Sequence, residues 1–155
     1  MKQISEKLSA SLEDYLEAIY NLSSDSQFAR AKDIALTLDV AKASVTSALR
    51  TLAERELINY KPYGYITLTE QGRHLALKIA RRHEMLSFFF AEVLGVEPGT
   101  AQKAACRTEH TLGPEVASRL TAFVEFVREK QADGQDFAQL FQQYWSLLRE
   151  GSSLT

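Results

Sequence analysis

At 155 residues, with 45% hydrophobic and 25% charged side chains, the chain suits one compact domain or two small ones that share helices. Its 18 Lys and Arg against 20 Asp and Glu leave a net charge of −2, which excludes bulk attraction to a polyanion or an acidic membrane, while the apolar content excludes disorder. One Cys excludes an internal disulfide framework, and no apolar run is long enough for a membrane span. The opening Met1-Lys2-Gln3-Ile4-Ser5-Glu6 lacks the basic, apolar, small-residue succession of a secretory signal, so a cytoplasmic location and no membrane partner are expected.

In chain order, Ser9 or Ser11 can cap a first helix to about Leu22, in which Leu12, Tyr15, Leu16, Ile19 and Tyr20 keep helical spacing. A polar loop is expected over Ser23 to Gln27. Ala31 to Leu38 reads as a short helix, Asp39 to Lys42 as a tight turn, and Ala43 to Glu56 as a third helix with Val45, Ala48, Leu49 and Leu52 inward, which makes a helix-turn-helix. Leu57 to Lys61 and Tyr65 to Leu68 alternate in period two around Pro62-Tyr63-Gly64, the pattern of a hairpin or wing. A long helix is expected from Thr69-Glu70 to about Leu94, and its Met85 to Phe90 stretch is apolar on more than one face, which suggests burial against a second subunit as well as its own domain, with an ordinary intramolecular core as the alternative. Helices are expected from Pro98 to His110, from Gly113-Pro114 to about Val127, and from Asp133 to Leu148. The expected fold class is mainly α, divided into residues 1–73 and 74–155.

Charge is unevenly distributed along the chain. Residues 1–25 carry 2 basic and 5 acidic groups, residues 26–82 carry 10 and 5, and residues 83–155 carry 6 and 10, giving −3, +5 and −4. The positive segment coincides with the helix-turn-helix and wing, as binding to DNA phosphates requires. In a complex with double-stranded DNA the third helix would enter the major groove, offering Lys42, Ser44, Thr46, Ser47 and Arg50. At least one of these hydroxyls is expected to serve local helix chemistry instead. The wing offers Lys61, Tyr63 and Tyr65 to the backbone.

Cys106, Glu109 and His110 stand at i, i+3 and i+4, so a thiol, a carboxylate and an imidazole share one helical face. Asp14 and Glu17 are spaced i, i+3 on the first helix, and His83 lies in the long one. Taken singly, each has a simple alternative: Cys106 as a small core residue, the acids as early-helix charges, His83 as a surface side chain. Together they are transition-metal donors. Carboxylates suit Mn(II) and Fe(II), whereas thiolate and imidazole draw later ions, so Co(II) or Zn(II) could also bind in vitro. A winged-helix regulator of an organic ligand, with the donors structural, and a metallohydrolase remain alternatives; no separate general base for the latter is evident.

Glu13 to Tyr20, the Ala41 to Leu52 helix, Leu68-Thr69-Glu70-Gln71-Gly72, Arg82-His83-Glu84 and Ala105 to His110 follow one another in an order that resembles the diphtheria-toxin-repressor family of iron- and manganese-dependent transcriptional repressors. The resemblance spans about residues 9–127. It implies an N-terminal winged helix-turn-helix domain, a C-terminal helical dimerisation and metal-binding domain, and metal-activated binding of a homodimer to a palindromic operator, without enzymatic activity. It also implies that Asp14, Cys106, Glu109 and His110 form one metal site and that Glu17 and His83 contribute to a second. Asp14 with Glu17 is the manganese-type arrangement, whereas Cys106 is the iron-type choice. Ser87 and Gln102 replace the Glu and His of the iron-type ancillary site, and Ala43 replaces a Pro of the iron-type recognition helix. The end soon after Trp145 leads to the expectation of the short, two-domain form.

Overall fold

The computed structural model describes residues 8–26, 28–62 and 64–152. It is mainly helical, in the order α1 (Ala10–Ser26), α2 (Ala31–Leu38), α3 (Lys42–Glu54), β1 (Ile58–Asn59), β2 (Thr67–Leu68), α4 (Glu70–Phe88), a π-helical turn (Phe89–Val93), α5 (Pro98–Glu109), α6 (Pro114–Ala132) and α7 (Phe137–Ser152). Chain contacts divide it into two compact units, residues 1–80 and 81–155. Among the described residues no helix is long and apolar enough to cross a membrane.

In the first unit, Ser9 is the cap of α1: the Leu12 amide donates to its Oγ at 3.3 Å. The helix continues one turn beyond the expected end at Leu22. Its serines do not break it, because the Ser24 hydroxyl donates to the Tyr20 carbonyl at 3.1 Å within the helix. Asp39 closes α2 in the left-handed conformation, at φ 52°, and so makes the tight turn into α3. Val45, Ala48, Leu49 and Leu52 of α3 are buried, as their spacing requires, in a core with Leu16, Ile19, Ile34, Ile66 and Ile79. Burial of a side chain such as Leu49 or Leu52 contributes roughly 1.5–3 kcal/mol.

The hairpin is shorter than the alternation suggested, with Ile58 opposite Leu68 and Asn59 opposite Thr67 in a two-stranded antiparallel sheet. The next inward residue, Ile66, pairs instead with Ala29, exchanging amide hydrogen bonds of 2.8 and 2.9 Å. That rung ties the entry of α2 to the wing, support that a two-residue ladder would lack. After β2, Thr69 caps α4 by accepting from the Gly72 amide at 3.0 Å and donates its hydroxyl to the Glu56 carbonyl at 2.7 Å.

The second unit begins within α4. At Phe89 the helix widens into a π turn, with the Leu94 amide reaching the Phe89 carbonyl at 3.0 Å. The Gln142 side-chain amide of α7 donates to the Glu92 carbonyl in this turn at 2.8 Å. One core gathers Met85, Leu86, Ala105 and Val124 with Phe88, Phe89 and Phe90; a smaller one gathers Val93, Val127 and Ala138. The last helix starts at Phe137 and not at Asp133. Gly134 turns the chain at φ 82°, and Asp136 caps the new helix by accepting from the Gln139 amide at 2.9 Å.

Candidate nucleic-acid interface and metal centre

On α3 the buried positions fix the opposite face. Lys42, Thr46 and Arg50, spaced by four, line a groove of about 860 Å³ that continues to Tyr60, Pro62, Gly64 and Tyr65 of the wing. Lys42, Ser44, Ser47 and Arg50 are exposed, as is Lys61, whose carbonyl accepts from the Gly64 amide at 2.9 Å to form the wing turn. The Thr46 hydroxyl donates to the Lys42 carbonyl at 3.1 Å, so this is a residue whose hydroxyl serves the helix. Tyr63 lies outside the described residues. Arg30 and Lys32 also line the groove, although local sequence spacing does not single them out. The only hint was the basic count of the segment, because Arg30 comes to the groove through the isolated Ala29–Ile66 rung.

In the second unit α5 carries the donors. It begins at Pro98, after Glu97, whose carboxylate accepts from the Gly99 and Thr100 amides at 2.9 and 2.8 Å. These amides, Gly99 first, hold the exposed Glu97 carboxyl below its ordinary range. Ala101, Ala105 and Glu109 form the buried stripe of the helix. A carboxylate therefore occupies the place where the spacing calls for an apolar side chain.

Ligand atoms of Cys106, Glu109 and His110 all lie within 4.8 Å of one another. Cys106 is exposed, whereas Glu109 is completely buried. The His83 ring Nδ1 of α4 lies 2.8 Å from Glu109 Oε2, and its Nε2 lies 3.3 Å from the Gln102 side-chain amide. These contacts agree with an imidazole that donates from Nδ1 and accepts at Nε2. Glu109 Oε1 is 3.4 Å from His110 Nε2 but has no hydrogen-bond partner among the described residues. A buried carboxylate oxygen in that condition is costly unless a positive charge compensates it. A divalent cation fits the need: carboxylate, imidazole and thiol are all ligands, and the site lies at the C-terminal end of α5, where the helix dipole favours positive charge. Local spacing does not pair His83 with Glu109, which is 26 positions away. Asp14 and Glu17 are both half-buried on α1 of the first unit, one turn apart.

Comparison with known proteins agrees with both halves. Residues 7–66 match the N-terminal DNA-binding domain of the iron-dependent repressors, and residues 69–137 match their metal-binding and dimerisation domain. The chain is 36% identical over 124 residues to an uncharacterised HTH-type transcriptional regulator of Methanocaldococcus jannaschii, covering 79% of this chain and 99% of that protein. It is 31% identical to the HTH-type transcriptional regulator MntR of Shouchella clausii, covering 84% and 90% of the two. Among solved structures, a manganese-dependent transcriptional repressor in complex with manganese superposes with a TM-score of 0.68 at 30% identity, over 74% of this chain and 53% of that one. The chain thus spans about half the length of that solved structure. The family is one of transcriptional repressors and not of enzymes. With a DNA-binding half and a metal-binding and dimerisation half both matched, the chain belongs to the diphtheria-toxin-repressor family of iron-dependent repressors, a family of metal-dependent transcriptional repressors.

Proposed function

We propose that this protein is a cytoplasmic sensor of Mn(II) or Fe(II) that represses metal-homeostasis genes, with the ion acting as corepressor of a homodimer on a palindromic operator. The observation that carries this reading is Glu109: completely buried, beside Cys106 and His110, with one oxygen lacking a hydrogen-bond donor among the described residues. As the family resemblance implies, Asp14 of α1 would join them as a ligand of this first site. Glu17 and His83 contribute to a second, weaker one, because His83 is already held between Glu109 and Gln102. When bound, the ion would supply positive charge to the carboxylates.

Asp14 and Glu17 then bias the DNA-binding unit towards the arrangement in which two recognition helices fit successive major grooves, and DNA reciprocally raises metal affinity. Lys42, Ser44, Thr46, Ser47 and Arg50 would be offered to base edges and phosphates, and Lys61 to the backbone. Exposed Phe123, Phe126, Phe141 and Trp145 in the second unit support burial against a second copy.

The test is an anaerobic, reducing titration of DNA binding with Mn(II), Fe(II), Co(II) and Zn(II). Mn(II) or Fe(II) is expected to raise affinity at least tenfold, and Co(II) or Zn(II) to bind without necessarily being the cellular signal. The Asp14→Ala variant should remain a folded dimer and lose the metal response. A variant that still responds normally would refute the shared-ion mechanism.

A further inference from the structure

The Ala29–Ile66 rung has the alternation of a strand. Ala29 and Ile66 are buried at 2% and 0% exposure, so their neighbours Phe28, Arg30 and Tyr65 stand on the opposite side. There the Phe28 and Tyr65 rings pack with centroids 4.0 Å apart, and the Arg30 guanidinium carbon lies 5.5 Å from the Tyr65 centroid and 5.7 Å from that of Phe28. Arg30 and Tyr65 line the same groove as Lys42, Thr46 and Arg50.

We propose that Arg30 contacts a DNA phosphate at the mouth of this groove, and that Phe28 and Tyr65 are positioning residues that hold it there. Where such a contact is made through the π face of the guanidinium, it leaves the edge N–H groups for an anion. The rings also restrict a side chain that would otherwise lose several rotamers on binding. Through the rung and this cluster, the start of α2 and the wing present their charges as one surface, so Tyr65 acts through its ring and not through its hydroxyl. The inference rests on the DNA-binding assignment of the first unit and is independent of the identity of the metal.

The test uses the full chain with Mn(II), a labelled mixed-sequence duplex of about three helical turns, and a NaCl titration. Arg30→Gln should lower affinity about tenfold and reduce the slope of log K against log salt by about one. Arg30→Lys should keep the slope while losing affinity several-fold. Tyr65→Leu should weaken binding about threefold, and Tyr65→Phe should bind as the wild type does. The double variant Arg30→Gln, Tyr65→Leu should be no weaker than Arg30→Gln alone, a coupling that a merely structural ring would not produce. If Arg30→Gln fails to fold, Arg30→Lys carries the test, and loss of the slope in that variant overturns the inference. An unchanged slope in folded Arg30→Gln, or additive effects in the double variant, overturns it as well. A wild-type chain that binds no duplex with or without metal overturns the DNA-binding assignment together with the inference.

Discussion

Glu109 shares the inward stripe of α5 with Ala101 and Ala105, receives His83 at Oε2 and leaves Oε1 without a hydrogen-bond donor among the described residues. Replacing it by Gln keeps the volume and an acceptor for His83 but removes the buried negative charge. The Glu109→Gln protein should melt at or above the temperature of the metal-free wild type. It should also lose the stabilisation of about 2.7 kcal/mol that a ligand gives at a hundredfold excess over its Kd. Thermal unfolding with and without Mn(II) measures both, and an undiminished metal-dependent rise would remove Glu109 from the site. Gly72 shows how one residue can be fixed by a backbone approach. A Cβ there would overlap the Leu57 carbonyl oxygen, so Gly72→Ala should destabilise the first unit by about 3 kcal/mol in denaturant unfolding.

At the scale of the element, α5 needs a firm start because its donors sit at the far end. The Gly99 and Thr100 amides hold the Glu97 carboxyl below its ordinary range, so its capping contribution is complete above the unfolded value and fades as pH falls through the lowered one. Amide hydrogen exchange in the first turn of α5 should therefore quicken on acidification into that window, and Glu97→Ala should show the fast exchange already at neutral pH. An unaltered exchange pattern in Glu97→Ala would show that Pro98 suffices to start the helix.

The elements themselves were largely legible in the sequence. The stripe of Val45, Ala48, Leu49 and Leu52 identified α3 and its outer face, and the i, i+3, i+4 spacing of Cys106, Glu109 and His110 identified the donor face of α5. What was not legible depended on partners distant in the chain. The Ala29–Ile66 rung shortened the hairpin, and the Gln142 contact with Glu92 accompanies a π turn that periodicity of 3.6 does not foresee. The His83–Glu109 pair is of the same kind, a side-chain meeting that local spacing does not encode.

For the whole molecule, the net charge of −2 is the balance of acidic end segments and a basic middle, and it says little about what any one surface binds. The second unit exposes 44% of Phe126, 51% of Trp145 and 37% of Phe141. Covered by a second copy, this surface would make α6 and α7 part of the dimer. Trp145→Glu should weaken self-association at least tenfold, about 1.4 kcal/mol, by sedimentation equilibrium. An unchanged monomer–dimer constant would move the interface elsewhere in the unit. The alanine stripe that ends in Glu109 has a consequence for how such a chain varies. An apolar residue at 109 would extend the stripe, so under the proposed function selection for stability alone would favour variants that no longer answer to metal. Under the proposed function, a carboxylate retained there would trade intrinsic stability for the capacity to be regulated.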